Sequence, residues 1–243
     1  EDAEHYTPEQ RQAIIDAYPE HEREARAKGI PMMGSGRVFP IIESAIKVEA
    51  FAISPHWPRI VGVDFGIDHP SALVWMAWDR DTDTLYVYDC WRESGKSPAE
   101  QALVYRPRGP WIPVAGLQRK QAGNALVQIA KQYAQAGVTM LANKATFEDG
   151  TYGLEAGVAE MLQRMQSRRL RVFSHLNDWF EEFRMYHRKD GQIVPMMDDL
   201  LSATRYAMMM RRYAKTQIEA QGNPFAMLNP SGMGQPLDET IGY

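Results

Sequence analysis

The chain is poor in cysteine. Cys90 is the only one among 243 residues, so no intrachain disulfide can form. It sits in the strand-like run LYVYDCW, where a thiol reads as a small core residue rather than a reactive one. No apolar run reaches the roughly 18 residues of a membrane-spanning helix. The opening EDAEHYTPEQ is acidic and polar and lacks the pattern of a signal peptide, so an intracellular setting is the expectation. Excess positive charge is also missing: 27 Lys and Arg face 31 Asp and Glu, a formal net charge of -4. That argues against a general coat for nucleic acid, whose binding relies on basic contacts that release counterions. It does not argue against an enzyme with a confined DNA groove. G-x-x-x-x-G-K-S/T, G-x-S-x-G, H-E-x-x-H and a Cys/His zinc spacing are all absent. Their absence removes the commonest signatures of nucleotide-phosphate, serine-hydrolase and zinc chemistry.

What is present is a globular composition, 44% hydrophobic and 24% charged, long enough for one large domain or two small ones. Residues 1–57 differ from the rest. TPEQRQAIIDAYPEHEREARAKG reads as one or two polar helices, with Thr7 as cap, Pro8 at the first position and Gln10 at the third. PMMGSGRVFPI is glycine-rich and irregular, and 1–57 as a whole resembles a linker or the tail of an upstream region. The compact domain is expected over 58–215, and the Gly-, Pro- and Asn-rich stretch 216–243 as an irregular tail.

Within 58–215, RIVGVDF, SALVWMAWD and LYVYDCW have short connections and predict an antiparallel meander of three strands. Ser97, Pro98 and Glu100 predict a capped helix over SPAEQALVYR. Alternating pieces follow: GPWIPVA as a fourth strand, NALVQIAKQYAQAG as a helix closed by Gly137, and VTMLAN as a fifth strand. TYGLEAGVAEMLQRMQSRR is a further helix, LRVFSH a short extended piece, and DWFEEFRMYHRKDG a helix with a KDG turn. DDLLSATRYAMMMRRYAK closes the domain as the last helix. The class is a mixed α/β sheet flanked by helices.

Asp64 ends the first apolar strand, where desolvating a carboxylate is costly. Alone, it reads first as a turn former leading into GIDHP, and as a site residue second. Asp198 and Asp199 open the last helix, where acidic residues satisfy free N–H groups and the helix dipole. Adjacent helical residues point about 100° apart, so one of the pair faces the sheet while the other can cap. Ser202 and Ala203 are small and let this helix lie close to strands. Converging aspartates make a hard-oxygen site for Mg²⁺ or Mn²⁺, and such a cation offsets the charge at Asp64. His69 lies near the first aspartate, and Glu148 and Asp149 form an acidic turn in FEDG; each is a supporting candidate or a plain turn residue. Arg164, Arg168, Arg169 and Arg171, with Arg188 and Lys189, form a basic group that could follow a phosphate backbone or simply face solvent.

VGVDFGIDHPSALVWMAWDRDTDTLYVYD, ATFEDGTYGLEAGVAEMLQRM, VFSHLNDWFEEFRMYHRKDGQIV and DDLLSATRYAMMM together closely resemble the C-terminal nuclease half of the tailed-bacteriophage terminase large subunit, from about Ile60 to Arg212. The resemblance implies an RNase H/RuvC-integrase-like fold and a metal-dependent endonuclease that cuts concatemeric viral double-stranded DNA during packaging. Two Mg²⁺ or Mn²⁺ ions are implied, held by Asp64 and by Asp199 or Asp198, with Asp199 favoured because Ser202 and Ala203 stand three and four residues along. It implies an ATPase domain upstream in the same polypeptide, portal and small terminase subunit as partners, no membrane, and a site of action in the host cytoplasm at the procapsid. One departure stands out. The family carries a middle aspartate after its fourth strand, whereas here WIPVAGLQRK runs from Ala115 directly to Gly116. Either a loop segment of the family is missing between Ala115 and Gly116, or the ligand is truly lacking. The second case makes the chain a DNA-binding module of the packaging motor with an incomplete site. An RNase H-like resolvase is the remaining alternative, distinguished by preference for branched DNA.

Overall fold

The computed structural model describes residues 6–29, 36–66, 69–115, 125–141 and 143–217. In chain order the elements are α1 (Pro8–Asp16), α2 (Glu20–Ala27), α3 (Glu43–Ile46), β1 (Lys47–Val48), β2 (Arg59–Asp64), β3 (Ser71–Asp79) and β4 (Thr84–Glu93). Then come α4 (Pro98–Tyr105), β5 (Ile112–Ala115), α5 (Ala125–Gln135), α6 (Leu154–Gln166) and β6 (Leu170–Phe173). The chain continues with α7 (Asn177–Met185), a small hairpin of β7 (Arg188–Lys189) and β8 (Gln192–Ile193), and α8 (Asp199–Met209). Both predicted capping boxes form. Thr7 accepts from the Gln10 N–H and Ser97 from the Glu100 N–H, and each partner side chain bonds back to the cap.

Among the described residues the main sheet has six strands in the order β1-β6-β4-β3-β2-β5. β2, β3 and β4 are the antiparallel meander, with a bulge between Trp75 and Met76. β5 pairs parallel with β2, and β6 lies parallel between β1 and β4. The fold is thus a mixed α/β, RNase H-like sheet with helices on its faces. LRVFSH, expected only as a short extended piece, supplies an interior strand of this sheet.

Two expectations need correction. VTMLAN forms no strand over its described residues. Leu141 N–H reaches the Pro113 carbonyl and Ala145 N–H the Ala115 carbonyl, so the segment tracks β5 with a single bridge, Ala115 to Lys144. Among the described residues these bonds border the sheet edge without extending it. The helix expected over DWFEEFRMYHRKDG ends at Met185, because the chain turns into the β7–β8 hairpin through Asp190 and Gly191, both at positive φ. A third observation concerns the stretch read as linker. Val38, Phe39 and Ile46 are buried in the same core as the sheet, and β1 pairs with β6.

Alternation along the strands divides the core into two layers. Ile60, Ala72, Val74, Met76 and Val114 pack with α6, α7 and α8 on one face, where Met208 to Met210 fill the core. Val61, Val63, Phe65, Leu73 and Trp75 pack with α4 and α5 on the other. Cys90 is half-buried, and burial pushes its thiol up to about 12, which keeps it unreactive. Among the described residues no helix is long and apolar enough to cross a membrane.

Candidate metal centre

Parity along β2 decides where Asp64 points. Val61, Val63 and Phe65 belong to the layer beneath α4 and α5, so Ile60, Gly62 and Asp64 face α8. α8 is buried along its whole length and packs across β2 at Gly62. A Cβ on that glycine would stand 1.8 Å from the Ala203 carbonyl oxygen. From Ala203 back to Asp199 is four helical rises, about 6 Å. From Gly62 forward to Asp64 is two strand rises, about 6.6 Å. The two elements therefore run antiparallel and bring Asp199 over Asp64.

Oxygen atoms of Asp64 and Asp199 and a ring nitrogen of His69 lie within 4.8 Å of one another. His69 Nδ1 is 2.7 Å from Asp199 Oδ1 and 3.1 Å from the Pro70 carbonyl. Both neighbours are acceptors, so Nδ1 carries the proton and donates to the carboxylate. Asp64 and Asp199 are each 6% exposed. Asp64 Oδ1 is buried and has no hydrogen-bond partner among the described residues. Burial, then the carboxylates of Asp199 and Asp198, push Asp64 up to about 7, while His69 and Arg205 oppose the rise. Burial and Asp199 likewise raise Asp198 above the usual carboxylate range. An unpaired buried oxygen among neighbouring carboxylates is the setting that a hard divalent cation relieves, and the donor set fits one.

Asp198 occupies the N-cap position of α8, yet its side chain does not cap the helix. It accepts a long bond, 3.4 Å, from Ser202 Oγ. Glu148 and Asp149 are exposed and take no part in the grouping of Asp64, His69 and Asp199. Asp149 instead holds its own turn, accepting from the Thr151 N–H and hydroxyl. The basic group is largely committed elsewhere. Arg164 is buried on Asp83 and Glu160, Arg169 pairs with Asp83, and Arg188 with Glu155.

Two residues escaped the sequence reading. Arg205 is buried two turns along α8 from Asp198, and Gly157 of α6 makes room for it: a Cβ there would meet Arg205 Cδ at 2.6 Å. The seven-residue spacing from Asp198 was a usable signal, since it places both on one helical face. Glu182 is the second, fully buried against the start of α8. The expected break after Ala115 falls where β5 ends, with Ala115 paired to Val63 beside Asp64; residues 116–124 lie outside the described residues.

Residues 61–211 match the family described as Terminase RNaseH-like domain, and residues 1–46 the family described as Terminase large subunit, T4likevirus-type, N-terminal. The terminase large subunit of Salmonella phage P22 is 45% identical over 219 residues, covering 88% of this chain and 44% of that protein. That of Enterobacteria phage LP7 is 45% identical over 215 residues, covering 86% and 45%. The chain thus spans less than half the length of these curated relatives. Among solved structures, the P22 large terminase nuclease domain matches with a TM-score of 0.72 at 36% identity, over 77% of this chain and 98% of that one. The large terminase nuclease of thermophilic phage G20c with bound cobalt has a TM-score of 0.51 at 18% identity, over 73% and 97%, a likeness of fold alone.

Proposed function

The chain belongs to the terminase large-subunit family through its RNase H-like domain, and from that premise we propose that it is a metal-dependent endonuclease. Its substrate in this reading is concatemeric viral double-stranded DNA, cut during genome packaging. The observation that carries the reading is the meeting of Asp64 and Asp199 at the crossing of β2 and α8, with Asp64 Oδ1 buried and without a hydrogen-bond partner among the described residues.

In this reading Asp64 and Asp199 are the oxygen donors for a divalent cation, Mg²⁺ or Mn²⁺, and Asp198 is the further donor of the two-ion form. Bound there, such cations supply Lewis acidity toward a phosphodiester oxygen and toward water. The chain's own residues prepare the site. His69 fixes the orientation of Asp199 through its 2.7 Å bond. Arg205 draws Asp64 and Asp198 back toward the ionised state that metal binding requires. The match of residues 1–46 to an N-terminal terminase family supports an ATPase domain upstream in the same polypeptide. Portal and small subunit follow as partners, and the procapsid in the host cytoplasm as the place of action.

One observation favours a second reading. GLQRKQAGN, which follows Ala115, contains no carboxylate, so the middle aspartate of the family has no counterpart there. That makes a DNA-binding module without cutting the specific competitor. Supercoiled plasmid separates the two. Nicking in Mn²⁺ or Mg²⁺ that stops in EDTA is the expected result. Retardation of the plasmid with no cutting in either metal would favour the binding module. Strong preference for a four-way junction over linear duplex would point to a resolvase instead.

A further inference from the structure

The N–H groups at the start of a helix have no partner within it, and the N-cap side chain is the usual solution. Asp198 stands at that position in α8 and makes no such bond. The donors are satisfied from another helix. Glu182 of α7, 0% exposed, places Oε2 at 2.7 Å from the Leu200 N–H and 3.1 Å from the Leu201 N–H. Its Oε1 accepts from Arg92 Nη1 of β4 at 2.8 Å, and Arg92 Nη2 donates to Glu181 at 3.1 Å. Trp179, one turn earlier on α7, donates from Nε1 to Thr204 Oγ1 at 2.9 Å, and Thr204 donates to the Leu200 carbonyl at 2.7 Å. The start of α8 is therefore held from outside by a buried carboxylate that is itself aimed by an arginine.

A buried glutamate is an unusual choice for a cap that serine or asparagine could provide. Its effect is visible at the neighbouring site. An aspartate that capped α8 would fold its oxygens back onto the first turn and spend them on N–H groups. With that task taken over, Asp198 keeps, among the described residues, the long contact from Ser202 Oγ, and Asp199 accepts from His69. We propose that Glu182 is a positioning residue of the metal centre: by capping α8 in place of Asp198, and aimed by Arg92, it releases both aspartates for a cation. The proposal rests on the metal-dependent reading of the site.

Binding of Mn²⁺ alone, followed by calorimetry on the whole chain, tests it, with amide exchange at Leu200 and Leu201 as a second readout. Glu182→Met keeps most of the volume and removes the acceptors. It is expected to speed exchange at both amides and to weaken Mn²⁺ binding about 10- to 100-fold, the range usual for an outer partner of a metal ligand. Glu182→Gln retains an amide oxygen for the two N–H groups, and Arg92 retains Glu181. Because amide and carboxylate cap about equally well, Mn²⁺ affinity there should stay within about threefold of the parent. Unchanged affinity in a folded Glu182→Met chain, or equal damage in both variants, overturns the proposal. Should Glu182→Met not fold, Arg92→Leu removes the group that aims Glu182; weaker Mn²⁺ binding there supports the proposal and unchanged binding overturns it. A parent chain that binds no Mn²⁺ overturns the metal reading itself, and this proposal with it. A parent that binds while Glu182→Met binds equally overturns this proposal only.

Discussion

Asp64→Asn is expected to stabilise the metal-free chain at pH 8 while removing divalent-cation binding and DNA cutting. The ordinary carboxyl value is 3.8, and in the folded chain burial and the neighbouring aspartates lift Asp64 to about 7. Between those values the folded chain keeps a proton that the unfolded chain has released. Stability therefore falls as pH rises from about 4 to about 7, and stays low above it. A lift of roughly 3 pH units bounds the loss at about 4 kcal/mol. Relaxation and water entry reduce this, so about 2 kcal/mol is the working figure. For a chain of this length that is a rise of about 4–8 °C in the thermal midpoint of the asparagine variant at pH 8 in EDTA. At pH 5 the parent holds its proton and the gap should narrow. Saturating Mn²⁺ should reverse the order, since a ligand at 100 times its Kd adds about 2.7 kcal/mol to the parent and nothing to the variant. Loss of a ligand worth about 3–4 kcal/mol at the transition state corresponds to roughly 10²–10³-fold slower cutting. Thermal scans at pH 5 and pH 8, with EDTA or Mn²⁺, check the whole pattern. A variant less stable than the parent at pH 8 in EDTA would remove the electrostatic account. A variant that gains as much from Mn²⁺ as the parent would remove Asp64 from the metal site.

Gly62→Ala is expected to be among the most destabilising single substitutions available in β2. The added Cβ would lie 1.8 Å from the Ala203 carbonyl oxygen, 2.7 Å from its carbon and 3.1 Å from Ala207 Cβ. The first two are backbone atoms of a helix buried on all sides, so no side-chain rotation relieves the clash. α8 must lift from the sheet, at about 3 kcal/mol or more. The same lift separates Asp199 from Asp64, so Mn²⁺ affinity should fall together with the denaturation midpoint. Alanine at Gly95 supplies the contrast: nothing lies within 4 Å of its Cβ position, although its φ of +70° adds local strain. Equilibrium urea unfolding of both variants gives the comparison. A Gly62→Ala chain as stable as the parent would mean that α8 does not cross β2 at this distance.

The glycine shows how far a one-dimensional reading reaches. VGVDFG marks a buried strand with little bulk beside its aspartate, and Ser202 and Ala203 mark a helix that can approach a sheet closely. That these two features belong to one contact is not written in either segment. The caps at Thr7 and Ser97 were legible because a capping box lies within four residues and its chemistry is local. The meander was legible because its turns are short. β6 was hard to read because LRVF has too few residues to display a period, and it becomes a strand by lying between β1 and β4. VTMLAN shows the converse. Its β-branched and apolar residues suit a strand, but over the described residues it borders β5 without forming one.

By itself the sequence determined the class of fold, its antiparallel centre, the family resemblance, and Asp64, Asp198 and Asp199 as the acidic candidates. Those features rest on side-chain alternation, caps and turns, which act over a few residues. Only the tertiary structure decided that Asp199 rather than a turn carboxylate in FEDG sits with Asp64. His69 meets Asp199 across 130 positions of chain, and Glu182 caps a helix that begins 17 residues later. Such partnerships depend on where whole elements come to rest against the sheet, and packing, not local propensity, sets that.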